Sequence, residues 1–370
     1  MTTGCERGPK RVEELTDVTV RPWESYPFQI IVKNDTLYGL ADLEGNIIFQ
    51  PEYRGLNFKN DTIRNEFYFI TINKDNKFGA YDAQGKNIVP EKYDEMDFFR
   101  GGDREGFYIL KHYTIENTYE VNGHKFVDNE QHTKWGVLDM KGKELVPCDF
   151  KEVSYEGNGY FVVTTPMSKG KSKLEGLYKD GKKIIPVEYN ELKVSRSTNG
   201  ALGIIRNKDG HTKLDKYFVF DLTDGAEKSK FVWGDAARDA WVSDNFVITQ
   251  SILNNLFTQA AYDFKGNVKI APGNYQNVRE KNGMFICDNG GHSELLNSAG
   301  QTVFEDKNIV LSFDFDDSPL VKTLNRARGK YGAVDFNGNL YIPCEYNSIK
   351  VKDGKIKAYR GRVADEFPLP

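Results

Sequence analysis

Several familiar signals are scarce in this chain of 370 residues. The four cysteines, Cys5, Cys148, Cys287 and Cys344, are widely scattered and contain no C-x-x-C pair, so no disulfide framework is implied and a reduced compartment is the simpler reading. Cys148 and Cys344 each follow a proline, Pro147 and Pro343, and are expected to be small buried side chains in equivalent sites. No apolar run reaches the roughly 18 residues of a spanning helix. Helix signals are nearly absent; only Arg11 to Leu15 and Asp235 to Trp241 suggest a short helical turn. There is no G-x-x-x-x-G-K-[ST] loop, no G-x-S-x-G elbow and no Cys–His nucleophile pair. Excess positive charge is missing too: the formal net charge is −4, which argues against a surface built to hold nucleic acid.

Tyr (20) and Phe (24) are abundant by contrast, and they suit strands better than helices. A short motif also recurs: Leu37-Tyr38-Gly39-Leu40-Ala41-Asp42, then Lys77-Phe78-Gly79-Ala80-Tyr81-Asp82, Lys134-Trp135-Gly136-Val137-Leu138-Asp139 and Lys330-Tyr331-Gly332-Ala333-Val334-Asp335. Glycines closing successive copies fall at Gly45, Gly85, Gly142, Gly181, Gly225, Gly266, Gly300 and Gly338, with intervals of 40, 57, 39, 44, 41, 34 and 38. A period near forty residues means a repeat array. The long interval holds an insertion at 113–133.

Each unit reads as an alternating strand, an aromatic-Gly strand, and a tight Asp-x-x-Gly turn. In that turn Asp caps a backbone N–H and Gly takes the left-handed conformation. A third, apolar strand reaches a proline, which marks an edge or a strand end. An aromatic follows three residues later, at Tyr93, Phe150, Tyr189, Tyr275 and Tyr346, and is expected to pack under the neighbouring unit. A weaker fourth strand is expected at Asp94 to Phe99 and at Ser348 to Val351.

At these residues the chain resembles the WG-repeat (KWG-repeat) family of mostly bacterial, β-rich repeat proteins. Lys134-Trp135-Gly136 with Asp139, Gly142, Pro147 and Phe150 matches best, and the units at Tyr38, Phe78 and Tyr331 match with Tyr or Phe replacing Trp. The fourth unit is one residue short before its turn, and the units from about Tyr217 to Phe313 are degenerate. The resemblance carries no catalytic residues with it.

The expected fold is all-β: a β-propeller-like ring of about eight units, with an open β-solenoid as the alternative. Residues 26–362 are expected to form one repeat domain, after an N-terminal extension (1–25) and before a C-terminal tail (363–370). Phe28 to Val32 lacks an upstream partner in its own repeat, and Lys355 to Tyr359 follows the last complete unit; these strands are expected to be able to meet and close a ring.

Most polar candidates have a structural explanation. Asp42, Asp82, Asp139 and Asp335 occupy equivalent turns, whereas a catalytic dyad needs two carboxylates converging on one substrate. Asp314, Asp316, Asp317, Glu305 and Asp306 form an acidic patch without the spaced ligands of a calcium loop. Lys169 to Lys173 reads as a solvated hairpin tip. His112, His124 and His132, at spacings of 12 and 8, follow no known zinc pattern and read as a decorated hairpin with exposed histidines. Trp233, Arg238 and Trp241 stand apart, because tryptophan and arginine anchor interfaces and these fall where the repeat decays; a patched core beside an irregular unit explains them equally well.

The expected function is a non-enzymatic scaffold that binds a protein or peptide through the insertion, the histidines and the Trp233–Trp241 region. A glycan or small-ligand module, and an enzyme with a central-funnel active site, are the alternatives. No cofactor, metal, nucleic acid or membrane span is expected. The expected compartment is the cytoplasm; a trimmed secreted protein or lipoprotein is the alternative, since Thr3-Gly4-Cys5 is faintly similar to a lipoprotein cysteine site.

Overall fold

A computed structural model describes residues 10–23, 26–61, 66–165, 172–206, 215–223, 231–233, 237–315, 318–352 and 354–370. The chain divides into two compact units, residues 1–187 and 188–370. Both are all-β, built from repeated antiparallel sheets whose strands follow chain order. Four-stranded meanders of this kind are the unit from which propeller blades are made. No helix among the described residues is long and apolar enough to cross a membrane.

In the first unit the first sheet joins Val18–Pro22, Phe28–Lys33, Leu37–Asp42 and Ile47–Tyr53. The second is Gly55–Asp61, Glu66–Ile72, Phe78–Asp82 and Asn87–Tyr93, and the third Glu95–Gly101, Arg104–Val121, His124–Asp139 and Glu144–Phe150. The fourth joins Glu152–Gly157, Tyr160–Thr164, Glu175–Lys179 and Lys182–Tyr189. The second unit continues with five more sheets, starting at Glu191, Ala237, Asn277, Ile309 and Ser348; the last has three strands, Ser348–Lys352, Lys355–Arg360 and Val363–Pro368.

Four expectations change. Phe28–Lys33 does have an upstream partner, Val18–Pro22, in register from Val18↔Lys33 to Pro22↔Gln29. Lys355–Arg360 is the middle strand of its own sheet, paired on both sides. Ordered sheet therefore begins inside residues 1–25 and runs into residues 363–370. The weak fourth strand near Asp94 instead opens the next sheet as Glu95–Gly101. Where Asp235 to Trp241 was expected to form a helical turn, the described part is the strand Ala237–Val242, whose Ala237 and Ala240 face the core.

The prolines do not end their strands. Asn87–Tyr93 runs straight through Pro90 to the aromatic. Its pairing with Phe78–Asp82 jumps from Ala80↔Val89 to Phe78↔Tyr93, a bulge that absorbs the missing donor on an outermost strand. The bulge places the two signature aromatics opposite each other in register: Tyr38↔Tyr53, Phe78↔Tyr93, Trp135↔Phe150 and Tyr331↔Tyr346.

The motif glycine makes room for that bulge. A Cβ on Gly136 would lie 2.7 Å from the Cys148 nitrogen and 2.8 Å from the Val146 oxygen, and Gly39 meets the outer strand at Phe49 and Pro51 in the same way. The turn repeats as faithfully. Asp139 Oδ1 accepts the Lys141 and Lys143 N–H groups at 2.8 and 2.9 Å, and Gly142 follows at φ 78°. In the short fourth repeat, Asp180 and Gly181 take φ of 50° and 86°, the two-residue hairpin turn.

The core lies between successive sheets of a unit. Tyr68, Ile70 and Tyr93 of the second sheet pack with Met96, Phe107 and Ile109 of the third. Leu202, Tyr217 and Val219 of the fifth pack with Ala240 and Val247 of the sixth. The post-proline aromatics cross such boundaries: Tyr53 touches Tyr81, Phe150 touches Tyr178 and Tyr346 touches Phe367, with ring centroids 5.5 to 6.1 Å apart. Each buried ring of this kind contributes about 1.5–3 kcal/mol.

Candidate functional site

The repeat is broken most visibly in the third sheet. Its two middle strands, Arg104–Val121 and His124–Asp139, outrun their neighbours. Glu95–Gly101 pairs only with Arg104 to Leu110, and Glu144–Phe150 only with Trp135 to Leu138. Beyond that stem the two strands stay in register from Tyr113↔His132 to Val121↔His124. Asn122 and Gly123 close the ribbon at φ 53° and 78°, as an Asn-Gly hairpin turn requires.

Alternation divides the ribbon into two faces. One carries Tyr113 and His132, stacked at 5.4 Å, and Tyr119 and Phe126, stacked at 5.6 Å and 16°. The other is largely polar, with Thr114, Glu116, Thr118, Glu120, Lys125, Asn129 and Gln131. The distal rings are open to solvent: Tyr119 is 50% exposed and Phe126 46%. The insertion 113–133 holds Glu116, Glu120, Asp128 and Glu130 against Lys125, a net charge of −3 with histidine neutral. Among the described residues no third strand pairs with the distal ribbon, so both its edges offer backbone donors and acceptors.

The two histidines of the insertion, His124 and His132, and His112 beside it do not converge. His112 accepts or donates at the ribbon's base, with Nε2 2.9 Å from Glu95 Oε1 and Nδ1 3.0 Å from Thr133 Oγ1. His132 is one register step away and therefore on the opposite face. His124 sits at the tip, eight residues from His132 along the strand, or about 27 Å at the strand rise.

Trp241 is half-buried and packs against the cluster of Phe246, Ile248 and Phe285. Arg238 is exposed, and its carbonyl accepts the Tyr217 hydroxyl at 3.2 Å. Trp233 pairs through its backbone with Tyr217; its side chain, like Asp316, Asp317 and Lys169 to Lys171, lies outside the described residues. Asp314 is paired with Lys322 at 3.2 Å.

The repeat aromatics are structural in their surroundings. Trp135 is half-buried, and its ring meets Tyr108 edge-on at 5.9 Å. Tyr331 borders a cleft of about 620 Å³ lined by Asp314, Phe315, Lys322 and Asn347, but Lys322 Nζ covers its ring at 4.9 Å. The motif lysines reach the residue beside the second aromatic: Lys77 pairs with Asp94, and Lys134 with Asp149 at 3.3 Å. Cys148 is buried and Cys344 half-buried, so the two equivalent cysteines differ in exposure. A cluster not singled out from sequence, His292 with Glu294 and Glu305, lies in the seventh sheet.

Sheet order, bulged proline strand and motif glycine together define an all-β repeat protein. The model of the WG containing repeat matches residues 38–77, 78–111 and 135–165. A search of curated proteins returns no match. Among solved structures, the chain is similar to the Dos1 propeller, at 10% identity over 88% of this chain and 93% of that one, TM-score 0.28. It is similar to AztD of Citrobacter koseri at 11% identity, over 93% and 92%, TM-score 0.26. The Pyrococcus horikoshii acylaminoacyl peptidase matches at 14% identity, over 84% of this chain and 57% of the peptidase, TM-score 0.30. At such scores these likenesses carry no argument about ring closure, ligand or activity.

Proposed function

We propose that this chain is a non-enzymatic scaffold for a protein or peptide partner, and that the ribbon at 113–133 is the part that reads it. The observation that supports this reading is the pair of solvent-open stacked rings, Tyr119 and Phe126, on a ribbon with unpaired edges. An extended peptide adds to such an edge through main-chain hydrogen bonds, while the rings supply anchoring area. The ribbon's charge of −3 selects for a peptide with basic residues around an apolar strip.

The test is selection of displayed peptides on the full-length chain, followed by affinity measurement against a variant in which residues 114–131 are replaced by Asn-Gly. Selected peptides rich in Lys or Arg and apolar residues, bound at least tenfold more weakly by the shortened variant, support the reading. Equal affinity for both proteins removes the ribbon as reader and makes the Arg238–Trp241 strand the next surface to test. Specific binding on a glycan array, with no peptide selected, displaces the reading in favour of a glycan module.

A further inference from the structure

The seventh sheet contains a group of side chains that the repeat does not explain. Its third and fourth strands, Ser293–Leu296 and Thr302–Glu305, place Glu294 and Glu305 directly opposite each other. Two like charges in that relation destabilise a sheet. Among the described residues, the only basic side chain within ion-pair distance of either is His292, just before the strand.

The spacing of the three groups is informative. His292 Nε2 lies 3.4 Å from Glu294 Oε1 and 3.7 Å from Glu305 Oε1, and one ligand atom from each residue falls within 4.8 Å of the others. Hydrogen bonds to carboxylates are shorter, about 2.7–2.9 Å. A tetrahedral cation with bonds of about 2.0–2.1 Å holds its ligand atoms about 3.4 Å apart. The His292–Glu294 separation equals such an edge, and the His292–Glu305 separation exceeds it by about 0.3 Å.

The ligands are also oriented. Glu294 uses its other oxygen, Oε2, to accept the Tyr275 hydroxyl at 2.9 Å and the Thr302 hydroxyl at 3.3 Å. That leaves Oε1 aimed at the histidine, as outer-shell partners do for a metal ligand. The turn that carries His292 is pinned from two sides: Asn289 N–H donates to the His292 carbonyl at 3.2 Å, and Arg326 donates to the Gly291 carbonyl at 2.8 Å. Glu305 is the most exposed of the three, at 46% for its side chain, and leaves one side of the site open.

We propose that His292, Glu294 and Glu305 bind a divalent transition cation of the Zn²⁺ class, with three protein ligands and a fourth position for water or a partner's donor. The cation neutralises the facing carboxylates and ties the turn to both strands. Mixed imidazole and carboxylate ligands suit Zn²⁺ better than Ca²⁺ or Mg²⁺, which take all-oxygen shells.

The test is calorimetric titration of Zn²⁺ into EDTA-stripped full-length protein carrying H112Q, H124Q and H132Q, which removes the ribbon's own histidines. One saturable equivalent is expected. Adding H292A, E294Q or E305Q is expected to weaken binding at least tenfold, and Tyr275→Phe by about tenfold. Because Glu305 is exposed, E305Q tests the site without risk to folding, and its urea midpoint without metal reports that fold. No saturable Zn²⁺ equivalent, or an isotherm unchanged in both H292A and E305Q, overturns the proposal.

Discussion

Gly85, which closes the turn of the second sheet, stands against the Ile48 carbonyl of the first: a Cβ there would come within 2.8 Å of that oxygen. Gly181 meets the Glu144 carbonyl at the same 2.8 Å, and Gly142 and Gly338 meet Ile88 and Val303 likewise. The turn glycine thus answers two demands, its own φ of 77° and the approach of the preceding sheet. Gly85→Ala should cost about 2–4 kcal/mol, the sum of a left-handed alanine and an overpacked contact. Gly361→Ala, at φ 73° with open space around it, should cost only about 1–2 kcal/mol. Urea midpoints compare them, and equal losses would remove the packing half of the argument.

The motif glycine makes a different demand. Gly136 needs no left-handed φ, yet its Cβ would lie 2.7 Å from the Cys148 backbone. Gly136→Ala should lose about 1–3 kcal/mol by forcing the outer strand away. Gly102→Ala, with nothing within 4 Å, should stay within about 0.5 kcal/mol of the parent. Chemical denaturation of the two variants side by side checks this.

Asp139 acts through an acceptor oxygen, a role that needs no negative charge. The seventh sheet shows why: Asn297 Oδ1 accepts the Ala299 and Gln301 N–H groups, both at 3.0 Å, in the same turn. Asp139→Asn should therefore change stability by less than about 0.5 kcal/mol, while Asp139→Ala loses about 1–2 kcal/mol. A thermal melt in which Asn fares as badly as Ala would show that charge matters after all.

Burial pushes the Cys148 thiol up to about 11 and the Tyr93 hydroxyl up to about 12. Both are acids that folding keeps protonated. Their contribution to stability is complete below their ordinary values of 9.0 and 10.0 and declines as pH rises toward 11 and 12. The folded protein should lose stability steadily above about pH 9. Its buried thiols should also resist iodoacetamide at pH 8 until denaturant is added. A flat urea midpoint between pH 8 and pH 11 would contradict this account.

The fold class was legible because the aromatic-Gly and Asp-x-x-Gly signals are local and each has one dominant geometry. The ribbon was legible in part: Tyr113, Ile115, Tyr119 and Val121 alternate toward Asn122-Gly123, a hairpin signature. Val18–Pro22 was missed although its partner was read as a strand, because it lies before the first copy of the motif and carries none of the repeat's signals. The prolines misled in one respect, since a bulge on an outermost strand tolerates them where a central ladder does not. The cluster of His292, Glu294 and Glu305 could not be read as a group, and Glu305 was assigned to an acidic patch instead. It depends on the register Glu294↔Glu305, and the degenerate seventh repeat offers little pattern from which to place that register.

The matched repeats end at residue 111 and resume at 135, while the sheet they help to build runs from Glu95 to Phe150. A sequence repeat therefore straddles two sheets, and its seam falls between the second and third strands of each. The ribbon grows from such a seam, so added length there interrupts no repeat and leaves the stem pairing of Arg104 to Leu110 and Trp135 to Leu138 untouched. The connections from Thr164 to Glu175 and from Ile205 to Lys216 lengthen the same seam. This makes the seam a natural grafting port: a foreign hairpin spliced between Leu110 and Trp135 would inherit a ready-made register, and a new specificity could be installed without redesigning the body that carries it.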